Sequence, residues 1–177
     1  MSLTNERAGI ILRLVDQLGD VGKIQLQKLV YFVQSKGVPL GYKFAMHHYG
    51  PYSFELDDHI SLLDAAHTIR VSVDAGGYGY HITAGDFRPQ AWVNAGKEYH
   101  ELVGQVVGHF QGYSAADLEL AATIHFVHEI LGGPDEARVV EVVRQLKPKF
   151  PPPTIKREFQ RLADASYLPA GRRAPGA

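Results

Sequence analysis

Apolar residues recur every three or four positions through the first third of the chain. Ile10, Ile11, Leu14, Val15 and Leu18 form one stripe, which predicts an amphipathic helix over residues 5–18 that ends at Gly19. Gly22 closes a four-residue turn. Leu26, Leu29, Val30 and Val33 then mark a second helix from Lys23 to Lys36, stopped by Gly37. Residues 38–52 hold Pro39, Gly41, Gly50 and Pro51 and read as irregular. Ser53 is a strong N-cap, and Glu55 and Asp57 sit where the positive end of a helix favours carboxylates. A third helix is therefore expected from Phe54 to His67, with Leu56, Ile60 and Leu63 inward.

The period then changes from 3.6 to 2. Ile69, Val71 and Val73 alternate with polar neighbours, as do Tyr78, Tyr80 and Ile82 beyond Ala75-Gly76-Gly77, which predicts a β-hairpin. Three helices followed by a hairpin is the element order of a winged helix. Past residue 88 the pattern is helical again. Trp92, Ala95, Tyr99, Leu102, Val103, Val106 and Phe110 fit one long helix, weakened by Gly96, Gly104 and Gly108. Ser114 with Asp117 forms a capping box for a helix running to Leu131, and Pro134 opens another with Val139, Val143 and Leu146 inward. The prolines of Lys147–Pro153 break the chain before a last helix capped by Thr154 and carrying Ile155, Phe159 and Leu162.

The expected fold class is mainly α with a small β-hairpin. A winged-helix-like N-terminal unit, 1–88, packs on a helical unit, 89–168, whose spacing again allows a helix–turn–helix. A Pro/Gly/Ala/Arg tail, 169–177, is expected to be disordered.

Composition narrows the function. The 177 residues are 45% hydrophobic and 21% charged, enough to build a sizeable core. Cysteine is absent, which excludes disulfides, thiolate zinc sites and cysteine nucleophiles. No apolar run reaches the roughly 20 residues of a membrane span, and the N-terminus lacks a signal core. A cytoplasmic protein without membrane contact is expected. Residues 1–137 hold nine basic and sixteen acidic side chains, a net of −7, whereas 138–177 hold nine and three, a net of +6. The two ends would meet an anionic partner very differently.

No catalytic constellation emerges. The chain contains no Gly-x-Ser-x-Gly elbow, no Gly-x-Gly-x-x-Gly and no Walker loop. Among the nine histidines, His125 and His128 lie three apart, which is not the zincin spacing, and His59 and His67 have no obvious closing ligand. Neither a metal nor a cofactor is expected. The third helix carries Glu55, Asp57, Asp58 and Asp64 with no Lys or Arg, a poor face for a polyanion and a better one for a protein. Lys147, Lys149, Lys156, Arg157 and Arg161 cluster around the proline break, with Arg172 and Arg173 in the tail. They can hold a phosphate backbone or dock on the acidic half of the chain itself. Tyr42, Phe44, Tyr49, Tyr52 and Phe54 surround Gly50-Pro51, either as a rigid loop plugging the core or as an aromatic interaction surface.

These last residues carry a family resemblance. Lys23 to Phe32 (KIQLQKLVYF), then Tyr49-Gly50-Pro51 and an acidic helix, resemble the Panacea-domain family of SocA-like antitoxins, and within it the YwgA-like branch. Leu26, Gln27, Lys28, Leu29, Tyr31 and Phe32 match the family's helix motif, over a region from roughly Ile10 to Ile69. The resemblance implies a non-enzymatic protein that neutralises or regulates a partner, in a family often found in phage or mobile elements. It points to Lys28, Tyr31, Tyr49, Gly50 and Pro51 as shared positions. With the acidic helix, the expected partner-binding set is Lys28, Tyr31, Tyr49, Gly50, Pro51, Tyr52, Glu55, Asp57 and Asp58. The alternative is a DNA-binding regulator using Lys147, Lys149, Lys156, Arg157 and Arg161. Homo-oligomers are compatible with either.

Overall fold

A computed structural model describes residues 3–77 and 79–168. In chain order the elements are α1 (Leu3–Leu18), β1 (Asp20–Gly22), α2 (Lys23–Ser35), β2 (Ala45–His47), β3 (Gly50–Tyr52), α3 (Phe54–Ala65), β4 (Ile69–Val73) and β5 (Tyr80–Ala84). They continue with α4 (Gln90–Asn94), a 3-10 turn (Lys97–Tyr99), α5 (His100–His109), α6 (Ala115–Ile130), α7 (Glu136–Leu146) and α8 (Pro152–Asp164). The protein is mainly helical with small antiparallel sheets. The expected tail, 169–177, and Tyr78 of the hairpin lie outside the described residues.

The periodic helices form where expected, but the short elements differ. The turn before α2 is a strand: β1 joins a three-stranded antiparallel sheet of order β1-β5-β4, with Val21 opposite Ile82 and both buried. Three residues are too few to show alternation. The irregular stretch likewise contains a second hairpin, β2–β3, with His47 opposite Gly50 and Ala45 opposite Tyr52. In the predicted hairpin, Asp74 and Gly79 close the turn, with Gly77 at φ +74°. The outer edge of β4 is partly capped, because the Val71 N–H donates to Asp64 Oδ1 at 2.8 Å.

The single long helix expected over 92–110 is instead broken between α4 and α5. Gly96 takes φ +68°, and a Cβ there would lie 3.0 Å from Ile10 Cδ1. On the facing helix, a Cβ on Gly9 would lie 2.5 Å from Ala95 O. Close packing of α1 against this corner therefore sets the break. Two caps also differ from expectation. Pro134 lies ahead of α7 instead of in its first turn, and Asp135 is the cap, accepting from the Arg138 N–H. Helix α8 starts at Pro152 behind Pro151, so Thr154 lies inside its first turn.

Helix α2 is the centre of the core. Its residues Leu26 through Val33 are all buried, because α5, α6 and β3 cover it from several sides. One hydrophobic cluster runs through both halves of the chain. Phe32 of α2 stacks on Phe110 at 4.3 Å and meets Tyr167 edge-on at 5.3 Å.

Candidate functional site

Burying eight successive residues of α2 also buries its polar ones, and each finds a partner. The Gln27 side chain reads the backbone of Ser53 twice: its Nε2 donates to Ser53 O at 2.9 Å, and its Oε1 accepts from Ser53 N at 3.0 Å. Ser53 in turn caps α3 through Leu56 N. Lys28 Nζ donates to Pro51 O at 2.5 Å. Tyr31 pairs its hydroxyl with His125 Nδ1 at 2.7 Å. Thus the face of α2 that carries the helix motif fastens the Tyr-Gly-Pro turn and the start of α3.

The β2–β3 hairpin is fixed from the opposite side by α6 and the α7–α8 linker. Gly50 has φ +80°, and a Cβ there would lie 2.9 Å from Thr123 Oγ1 and 3.2 Å from Glu119 O, so glycine is required on both counts. Glu119, with a side chain only 3% exposed, pairs with Lys147 at 2.9 Å and Lys149 at 2.7 Å. Lys147 Nζ also donates to the carbonyls of His47 and His48. Burial pushes the Lys28 ammonium down to about 8, with Glu119 pulling it up and Lys147 adding to the depression. Burial likewise drives His125 down to about 4, helped by His128 and Lys36, and raises Tyr31. Both partners of that hydrogen bond are therefore neutral near pH 7.

The expected partner-binding set is consequently divided. Lys28, Tyr31, Gly50 and Pro51 are buried and support the hairpin from within. Tyr49, Glu55 and Asp58 are exposed, and Tyr52 and Asp57 are half-buried. Asp57 is already paired with Lys23, and Glu55 Oε2 accepts from Lys43 N at 3.2 Å. Helix spacing places Phe54, Asp58, Ser61, Leu62 and Ala65 together on the outer side of α3, where Phe54 and Leu62 are each 67% exposed. At the N-terminal end of α3, Tyr49, Tyr52, Phe54 and Tyr80 line a cleft of about 460 Å³, with Lys23 5.1 Å over the Tyr80 ring.

The basic cluster is divided too. Lys147 is buried and committed to Glu119, so it offers nothing to a phosphate, a correction to its place in the alternative set. Lys149 is half-exposed but shares the same carboxylate. Lys156, Arg157 and Arg161 remain exposed on α8, with Arg161 5.5 Å over the Tyr113 ring. Of the histidines singled out for metal, His59 turns to the Tyr42 hydroxyl at 2.6 Å and His125 to Tyr31. Among the described residues no three His, Asp or Glu side chains gather as a metal site would require.

Gln27, Glu119 and Thr123 do most to position this surface, and the sequence pattern pointed to none of them as site residues. Gln27 lay within the matched helix motif, which was the available signal. Glu119 and Thr123 carried none, since they sit in a helix far along the chain. Comparison with protein-family models and with curated proteins finds no match to the chain.

Proposed function

We propose that the chain is a non-enzymatic protein-interaction module of the Panacea type, which neutralises or regulates a partner protein in the cytoplasm. In this proposal residues 1–88 act as a winged-helix-like unit whose third helix faces a protein instead of DNA. The observation that carries it is the outer side of α3, where Phe54 and Leu62 stand exposed beside Asp58 and Glu55 with no Lys or Arg in the helix. Exposed apolar side chains of this size in one stripe mark interaction surfaces. The carboxylates select a basic partner and repel nucleic acid. Among the described residues no helix is long and apolar enough to cross a membrane, which fits a partner met in water.

Lys28, Tyr31, Gly50 and Pro51 then contribute by holding Tyr49, Tyr52 and the N-terminus of α3 in place. The test is affinity purification of the tagged protein from its host after nuclease treatment, repeated with Phe54→Ser and Asp58→Lys. A stoichiometric basic protein lost from both variants, with unchanged melting temperatures, supports the proposal. A partner retained by both removes α3 from it.

A second reading, DNA binding, has one favourable observation: Lys156, Arg157 and Arg161 are exposed together on α8. It requires affinity that falls steeply with salt and is damaged by Lys156→Glu or Arg157→Glu.

A further inference from the structure

Away from α3 and the Tyr-Gly-Pro hairpin, a cleft of about 550 Å³ opens between α1, the segment before α4, and the start of α5, lined by Leu12, Arg13, Asp16, Arg88, Val93 and His100. Two guanidinium groups and an imidazole reach it from three separate stretches of chain. Arg13 Nη1 donates to His100 Nδ1 at 2.6 Å. That bond makes Nδ1 the acceptor and puts the ring proton on Nε2, so the imidazole is left as a donor. Arg88 Nη2 donates to Asp16 Oδ1 at 2.6 Å, and Asp16 is the carboxylate lining the cleft. Two arginines against one aspartate leave one positive charge uncompensated.

We propose that this cleft binds a phosphate group carried on a small organic molecule. Guanidinium forks are the protein groups best matched to oxyanions. Arg13, Arg88 and His100 bring donors to the lining from three stretches of chain, which suits a tetrahedral oxyanion with three acceptor oxygens better than a planar carboxylate with two. The cleft is larger than a phosphate, and Leu12 and Val93 give it an apolar wall for the attached group. Asp16 acts as a placeholder, holding Arg88 until the ligand's oxygens replace it.

The test uses the full chain, titrated with inorganic phosphate and with phenyl phosphate at constant ionic strength in chloride, followed by thermal melting and calorimetry. Saturable binding is expected, with Tm raised by about 4 °C at ten times the dissociation constant. Phenyl phosphate binding more tightly than phosphate identifies a phosphomonoester as the ligand class, and equal binding identifies free phosphate. Arg88→Gln should weaken binding about tenfold or more, because it removes one fork. Asp16→Asn should tighten it several-fold, because it frees Arg88 and removes a like charge. Arg88 is partly exposed and among the described residues is paired with Asp16 alone, so its variant should fold even if Arg13→Gln does not. A rise in Tm that does not saturate, or one unchanged in Arg88→Gln and Asp16→Asn, overturns the proposal.

Discussion

Replacing Gly50 by alanine adds one methyl group at the point where the hairpin meets α6. Two penalties follow from the geometry. The backbone stays at φ +80°, which strains an L-residue by about 1 kcal/mol. The new Cβ would also lie 2.9 Å from Thr123 Oγ1 and 3.2 Å from Glu119 O, and both belong to a packed helix. Overpacking of this kind costs about 1–3 kcal/mol, so the total is about 3 kcal/mol. At about 2–4 °C of Tm per kcal/mol for a chain of this length, Tm should fall by about 6–12 °C. Gly77→Ala is the internal control, because Gly77 has φ +74° with nothing within 4 Å of its Cβ position. It carries the backbone penalty alone, and a fall of about 2–4 °C is expected. Gly50→Ala with Thr123→Ala should recover part of the difference, since the nearest obstructing atom is gone. The assay is two-state urea and thermal unfolding of the four proteins. Equal losses in Gly50→Ala and Gly77→Ala would show that the approach to α6 contributes nothing, and the hairpin would have no structural need of glycine beyond its dihedral angle.

Three further outcomes are expected. Glu119→Gln should lower stability by about 3–5 kcal/mol in urea unfolding at pH 7, because Lys147 is left as a buried cation without its counter-charge. Glu119→Leu with Lys147→Met should be less damaging than either single change, and a double variant worse than both would contradict the ion-pair account. His125 should make the protein acid-sensitive. Its folded value is lowered from 6.5 to about 4, so between those values the unfolded chain binds more protons and stability falls as pH drops. The full loss is about 3 kcal/mol by pH 4, and stability measured from pH 7 to pH 4 in wild type and His125→Gln should show a shallower slope in the variant. Asp64→Ala should uncover the β4 edge by removing the acceptor of the Val71 N–H, with a loss of about 1 kcal/mol and more light scattering on warming.

The legible parts of the chain were those where one element reports on itself. The stripes of α1, α2 and α3, and the caps at Ser53 and Ser114, are local signals of period and capping chemistry, and those elements form as expected. The charge division was legible as well, and with it the acidic face of α3. What failed was short or packed from outside. Strand β1 has three residues and exists because β5 accepts it as a neighbour. The break at Gly96 exists because α1 presses on that corner through Gly9 and Ile10.

The division of the candidate site has the same cause. Sequence likeness brought Lys28, Tyr31, Gly50 and Pro51 forward together with Tyr49, Tyr52 and the acids of α3, but it could not separate those that face water from those that support them. Burial decides that, and burial depends on α6, which begins sixty-five residues after Gly50 and supplies Glu119, Thr123 and His125 beneath the hairpin. Lys147 moves from a surface charge to an interior one for the same reason, since its partner Glu119 lies 28 residues away and is brought near only by packing. By itself the sequence determined the strongly periodic helices, the caps at Ser53 and Ser114 and the acidic face of α3. The tertiary structure alone decided which of these polar groups are exposed, because exposure is set by the elements that cover a residue and not by the residue's neighbours in the chain.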